Sequence, residues 1–328
     1  MIITRTPFRI SFCGGGSDLA EFYEKHEGCV LSTTINKYMF ISIHPYFYSG
    51  TTVIKYSKTE IVNDTNEIVH PIFKSVLQQF GIEGVEISST ADIPSGTGLG
   101  SSSTFTVGLL NAMHIYAGKY VSKGSLAENA CDIEINRLGS PIGKQDQYAA
   151  AFGGLNYIRF LKNGDTLVEP VLCKRSVKDQ LEKRLIMLYT GDVRNANAIL
   201  SEQARNMEKN DKVAGLIRMC ELAEELKSSL ENGDLDAFGE ILDSNWQIKR
   251  DLASGISNTE INDLYDTAVR NGAKGGKLLG AGGGGFLLFY CDEDKQPQVR
   301  KALGLRELQF EFESYGSTAI FVGDKYWD

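Results

Sequence analysis

Three glycine-rich segments, far apart and all different, carry the chemistry legible in this chain: Gly14-Gly15-Gly16-Ser17-Asp18, Gly98-Leu99-Gly100-Ser101-Ser102-Ser103 and Gly280-Ala281-Gly282-Gly283-Gly284-Gly285. Glycine lets main-chain N–H groups approach an anion and adopts positive φ freely, so three such loops point to one phosphate site and to phosphoryl transfer. The middle segment opens at Pro94 and ends where Phe105, Leu109, Ala112 and Tyr116 recur at helical spacing, with Gly118 where such a helix stops. Its serines therefore run into a helix N-terminus, whose dipole favours an adjacent anion by about 0.3–1 kcal/mol. A flexible Gly/Ser turn is the plain alternative, but Pro94 stiffens the approach and a clear helix follows. Neither G-x-x-x-x-G-K-[ST] nor a G-x-G-x-x-G after the first strand is present, which excludes a Walker loop and a dinucleotide fold.

Phosphoryl transfer demands alignment, a metal bridging the nucleotide phosphates, and a group that handles the acceptor hydroxyl proton. Asp146, after a helix and a Pro/Gly turn, suits a general base or a hydroxyl-orienting group; the plain alternative is an N-cap for the segment 147–152. Lys144 either keeps that carboxylate ionised or is a solvated surface lysine. Glu134 falls on a helix expected over 125–138, about 40° from Ala130 at 100° per residue, so it borders an apolar stripe and needs a partner. Either Arg137 or another cation satisfies it, or it holds Mg2+ with a serine of the phosphate loop. Residues 7–12 read as a strand feeding the first glycine segment, with Arg5, Arg9 and Asp18 around that loop. Alternation puts Arg9 with Pro7 and Ser11, away from Phe8, Ile10 and Phe12; a surface arginine is the usual reading.

These groups need elements to hold them. The N-terminal quarter reads mainly as strands, over 35–44, 52–56 and 85–89, with a short helix near 70–80. Strands over 155–160 and 185–189 follow, separated by a charged, turn-rich stretch over 174–183. The later half reads as helices over 213–230, 234–252 and 258–271, then strands over 286–290, 308–312 and 318–322. Mixing without regular β-α alternation favours α+β. At 328 residues, 42% apolar and 23% charged, the chain is long for one core, and two domains are expected, 1–178 and 179–328. A net charge of −8 without a dense Lys/Arg cluster argues against nucleic-acid and anionic-membrane surfaces. No signal peptide and no apolar run of roughly 18 residues is seen, so a cytoplasmic protein is expected. Six cysteines without CxxC and four scattered histidines read as free thiols and no histidine metal site.

The Pro94 to Ser103 segment resembles the P-x-x-x-G-L-G-S-S motif of the GHMP kinases, and the other two glycine segments fall where that family has its first and third motifs. The resemblance covers nearly the whole chain. It implies a ribosomal protein S5 domain 2-like N-terminal domain, a ferredoxin-like C-terminal domain, an active site in the cleft between them, and ATP and Mg2+ as cofactors. ATP would lie on Pro94, Gly96, Gly98, Leu99, Gly100, Ser101, Ser102 and Ser103. Asp146 matches the family's catalytic aspartate, and Arg9 a Lys or Arg close to the transferred phosphoryl group. Glu134 matches the magnesium-binding Glu, with Ser101 or Ser102 as its serine and Ser102 the expected metal ligand. Asp18 matches the acid that holds substrate hydroxyls, with Gly15, Gly16, Ser17, Gly282 and Gly283 expected beside it.

Galactokinases and mevalonate kinases usually carry Gly-Glu-His where this chain has Gly-Gly-Gly-Ser-Asp. That form, with Tyr56-Ser57-Lys58-Thr59-Glu60 and the run Gln145 to Gly154, looks most like the D-glycero-D-manno-heptose 7-phosphate kinases of the family, with L-fucokinase domains next. Both imply phosphorylation of the anomeric O-1. An acceptor with a 7-phosphate needs a second anion site, for which Arg194 is the candidate and an exposed loop arginine the plain alternative. The expected partner is a sugar or sugar phosphate, with no nucleic acid and no membrane; a homodimer is left open. The rivals are a galactose or mevalonate acceptor, and a catalytically silent nucleotide and sugar sensor, against which the retained Asp146 and Glu134 speak.

Overall fold

In the computed structural model, which describes residues 1–48, 50–191 and 196–323, the chain builds two sheets with helices between and around them. Among the described residues the first sheet has nine strands, and its main path runs Thr318–Val322, Ile2–Cys13, Gly28–Pro45, Val85–Ala91, Thr52–Lys55, Thr59–Val62. Gly28–Pro45 is long enough to serve more neighbours. Its first part pairs with Asn156–Phe160, which carries Thr166–Pro170, and its middle pairs with Phe312–Glu313. Thr52–Lys55 and Val85–Ala91 run parallel, and the other pairings are antiparallel. The second sheet, Arg306–Glu307, Leu185–Tyr189, Phe286–Cys291, Ala273–Leu278, is antiparallel throughout. With helices in its first and last connections, it is the ferredoxin-like β-α-β-β-α-β unit expected.

Helices Pro71–Phe80, Ser101–Tyr116, Lys123–Cys131 and Gln145–Phe152 cover one face of the first sheet, where Phe73, Leu109 and Ala150 share a core with Ile41 and Ile87. The other face meets the helices Asn210–Asn232 and Phe238–Lys249 and the second sheet: Phe8, Ile10 and Phe12 pack with Leu226, Phe238 and Leu288. The two halves thus share a core. Strands buried on both faces read as unbroken apolar runs, which is why Leu185–Tyr189 and Phe286–Cys291 are evident in the sequence.

Three expectations are corrected. The stretch 174–183 is not turn-rich but the helix Arg175–Lys183, which buries Val177 and Leu181, four residues apart, and exposes charge elsewhere. The strand expected over 308–312 is replaced by two short pairings, Arg306–Glu307 on the second sheet and Phe312–Glu313 on the first, because the chain crosses between sheets there. Two strands beyond residue 178 therefore complete the first sheet. The helix expected over 125–138 is Lys123–Cys131 continued by a π-helical turn, Asp132–Arg137, in which the Leu138 N–H reaches the Ile133 carbonyl at 3.0 Å. Among the described residues no helix is long and apolar enough to cross a membrane.

Candidate active site

A cavity of about 930 Å3 opens between the two halves, within the range of small-molecule sites. One end of it is made by main chain. Gly96, Gly98 and Gly100 have φ of 79°, 86° and 79°, alternating with the buried Thr97 and Leu99. Such alternation turns successive N–H groups into a concave nest for an anion. Gly100 is the N-cap of Ser101–Tyr116 and no side chain caps that helix, so Ser101, Ser102 and Ser103 line the cavity at an open helix N-terminus. Leu99 turns into the core instead of lining the cavity.

The third glycine segment closes on this loop. A Cβ on Gly98 would collide with the Leu279 carbonyl oxygen, and one on Gly280 would lie 2.6 Å from the Gly98 Cα. Gly282 lines the cavity, whereas Gly283 does not; its N–H is donated to the Ile256 carbonyl at 3.0 Å. Gly98→Ala combines a left-handed φ with main-chain overlap, and a cost of roughly 1–3 kcal/mol is expected, read as a fall in Tm of several degrees.

Arg9 is 4% exposed, not a surface residue. Ile2 packs into the first core, yet Phe8, Ile10 and Phe12, of the same parity, pack into the second. The pairing register with Gly28–Pro45 shifts between Pro7 and Phe8, where that change falls, and Arg9, on the face opposite Phe8 and Ile10, meets Asp146. Its Nε donates to Asp146 Oδ1 at 2.7 Å, Nη2 to Oδ2 at 2.8 Å, and Nη1 to the Gly98 carbonyl at 2.7 Å. One guanidinium therefore ties the strand, the glycine loop and the helix Gln145–Phe152 together. Asp146 lies in the first turn of that helix and is not its N-cap, which is Lys144. Lys144 does not serve the carboxylate: its Nζ donates to the Gly164 carbonyl at 2.7 Å, over the Tyr23 ring.

The π turn carries Glu134 fully inward, to 2% exposure. Its Oε1 accepts from the Ser102 hydroxyl at 2.6 Å and its Oε2 from Gln147 Nε2 at 2.8 Å. Arg137 is bound to Asp132 at 2.7 Å instead, so it is not the cation for Glu134. Burial raises the Glu134 carboxyl above the usual range, against hydrogen bonds from Ser102, Ser103 and Gln147 that lower it. A buried carboxylate in that condition suits a cation. Mg2+ takes one or two carboxylates and leaves its other positions to phosphate and water, and Glu134 with Ser102 at the edge of the nest fits that donor set.

In the first glycine segment the Ser17 hydroxyl donates to the Gly14 carbonyl at 2.8 Å and accepts from the Cys29 N–H at 2.9 Å. Ser17 thereby fixes the loop; Gly16 and Asp18 line the cavity, and Gly15 and Ser17 do not. Asp18 accepts from the Gly16 N–H at 2.9 Å, the Gln145 N–H at 3.2 Å and Gln145 Nε2 at 3.1 Å. Burial, with the neighbouring Asp146 charge adding to it, raises its carboxyl. Arg194 lies outside the described residues. Beyond the helix N-terminus the cavity wall is aromatic: His70 packs against Tyr56 and Phe105 with ring centroids 4.8 and 5.4 Å apart.

Two lysines not singled out in the sequence reach the first glycine loop and the strand that leads into it. Lys249 Nζ donates to the Gly15 carbonyl at 2.9 Å and Lys277 Nζ to the Phe12 carbonyl at 3.1 Å. Lys249 follows Leu242 by seven residues and Trp246 by three, so a cation on an apolar stripe was its signal. Burial lowers their pKa values to about 8 and about 7. Lys277 holds its proton less tightly folded than unfolded, so the unfolded chain binds more protons above pH 7 and stability rises with pH. The buried Cys13 thiol, raised from 9.0 to about 12, opposes this above pH 9. Urea unfolding is therefore expected to show a rise between about pH 7 and 9 that is smaller in Lys277→Met, where Lys249 and Cys220, lowered to about 8 and about 7, still contribute; parallel curves for the two proteins would refute it.

A run of left-handed glycines, an open helix end and a half-buried Arg–Asp pair meet in one cleft. The chain belongs to the GHMP kinases: the family's N terminal domain matches residues 67–154 and its C terminal domain residues 222–307. It is accordingly a phosphotransferase with an alcohol acceptor. It is 31% identical to the D-glycero-alpha-D-manno-heptose 7-phosphate kinase of Campylobacter jejuni over 92% of this chain and 93% of that one. It is 26% identical to the bifunctional fucokinase/GDP-fucose pyrophosphorylase of Arabidopsis thaliana over 90% of this chain and 30% of that one. A crystal structure described as a D-glycero-D-manno-heptose 1-phosphate kinase from Bacteroides thetaiotaomicron is similar at a TM-score of 0.82 and 25% identity, covering 99% of this chain and 100% of that one.

Proposed function

We propose that the chain is an ATP- and Mg2+-dependent sugar kinase that phosphorylates the anomeric hydroxyl of D-glycero-D-manno-heptose 7-phosphate. The observation that carries this reading is the Arg9–Asp146 pair, set between the phosphate nest and Asp18 in one cavity. The acceptor is suggested by the near end-to-end similarity to the Campylobacter enzyme.

On this reading the triphosphate lies along the N–H groups of the nest and of Ser101 to Ser103, and the base against Tyr56, His70 and Phe105. Glu134 and Ser102 hold Mg2+, which when bound neutralises charge on the nucleotide phosphates. Asp18 and Gly16 orient the sugar so that its O-1 hydroxyl donates to Asp146. As O-1 bonds to the terminal phosphorus and the bond to ADP breaks, the hydroxyl proton passes to Asp146. Arg9 uses three of its five N–H donors on protein, and the remainder face the charge that develops in transfer.

The test is ADP release with ATP, Mg2+ and, separately, the heptose 7-phosphate, L-fucose, galactose and mevalonate. The fastest turnover is expected with the heptose 7-phosphate, giving an anomeric phosphate by 31P NMR. Turnover of mevalonate and of none of the sugars overturns the acceptor, and nucleotide binding without ADP release from any of them indicates a silent binder.

A further inference from the structure

Lys249 is a cation that the transfer step above does not use. It is 4% exposed yet lines the cavity, and its bond to the neutral Gly15 carbonyl occupies one of three ammonium donors. Among the described residues no carboxylate lies in ion-pair contact with it; the charged groups that face it are Asp18 on the first loop, Arg9 on its strand, Asp146 on its helix and Lys277 on the adjoining strand. Asp18 is satisfied by N–H groups, and Asp146 by Arg9. A buried ammonium in that setting is costly until an anion meets it. A second observation marks the same end of the cleft. Gln203, fully buried behind Gly16, has neither amide atom partnered among the described residues.

We propose that Lys249 is the acceptor's anion ligand: its ammonium binds a phosphate oxygen of the sugar phosphate and so selects phosphorylated over neutral sugars. The assignment rests on the acceptor reading above. Lys249 sits on the glycine loop that carries Asp18, whereas the nucleotide phosphates have the nest, the open helix end and Arg9. A charged hydrogen bond of this kind is worth a factor of roughly 10–100 in affinity.

The experiment compares wild type, Lys249→Gln and Lys249→Arg on D-glycero-D-manno-heptose 7-phosphate and on the same heptose without its phosphate. The readout is the ratio of the two kcat/KM values. Lys249→Gln is expected to lower that ratio about 10–100-fold, through KM for the phosphorylated sugar, and Lys249→Arg to restore most of it. Free Lys249 loses its proton near pH 8, so the wild-type kcat/KM for the phosphorylated sugar falls above that pH. Lys249→Arg, charged throughout, lacks that limb, which keeps the test alive if the Gln variant does not fold. An unchanged ratio in Lys249→Gln overturns the proposal, as does equal loss on both sugars, which is the mark of a merely structural support for Gly15. A rise in KM for ATP alone assigns the anion to the nucleotide and also overturns it. A wild type that turns over neither heptose overturns the acceptor reading instead; inorganic phosphate titrated into the same proteins then decides on Lys249, weaker binding to Lys249→Gln supporting it and equal binding overturning it.

Discussion

Asp146→Asn is expected to lower kcat roughly 10²–10⁴-fold while nucleotide affinity, measured by titration without acceptor, changes by no more than a few-fold. Both carboxylate oxygens already accept from Arg9, at 2.7 and 2.8 Å, so the acceptor hydroxyl meets their remaining lone pairs. The amide preserves shape but turns an NH2 toward one arm of the guanidinium, leaving a buried cation short of a partner. Some loss of Tm is therefore expected alongside the loss of turnover. Arg9→Lys separates the two effects, because a single ammonium cannot span both Asp146 oxygens and the Gly98 carbonyl. It should lower kcat and also loosen the phosphate nest, raising KM for ATP. Since the residues are in direct contact, the double variant should cost less than the sum of the two single ones. Near-wild-type kcat in Asp146→Asn removes the carboxylate from the reaction.

The parts of this site that the sequence shows are those whose chemistry is local. The serine loop, its glycines and the helix after it lie in one stretch, and Ser101–Tyr116 forms where its apolar spacing places it. Arg9 was legible as a residue type and in its face, opposite Phe8, Ile10 and Phe12, but not in its burial, because both faces of this strand are covered. Glu134 fell short in the same way: a straight helix puts it at the edge of the apolar stripe, and the π turn carries it inside. Lys249 was visible in pattern, a lysine in register with Leu242 and Trp246, but outside any glycine motif. The strand Ala273–Leu278 was hidden by its own glycines, which resemble loop. Gly275 is there for close packing, since a Cβ on it would collide with the Gly239 carbonyl of the helix Phe238–Lys249. The return of Phe312–Glu313 to the first sheet depends on a partner some 280 residues away in sequence, which no local pattern encodes.

Glu134→Gln is expected to raise the Mg2+ concentration for half-maximal activity at least about 10–100-fold, and to lower turnover at ordinary Mg2+ by a similar factor. The substitution is mild in packing. A glutamine carbonyl can still accept from Gln147, and its NH2 can donate to the Ser102 hydroxyl, so both neighbours stay partnered. Stability and activity should then move in opposite directions. Because burial raises the Glu134 carboxyl in the folded chain, the folded state binds more protons than the unfolded one, and this group's contribution is lost as pH rises from its ordinary value of 4.5. At neutral pH, without Mg2+, the neutral variant is therefore expected to unfold at a Tm equal to or above that of wild type. Adding Mg2+ with a nonhydrolysable ATP analogue should raise the wild-type Tm more than that of the variant, because a ligand stabilises only in proportion to its affinity for the folded state. A carboxylate with only a packing role would give the reverse pattern: a lower Tm in the variant and the same Mg2+ dependence in both proteins.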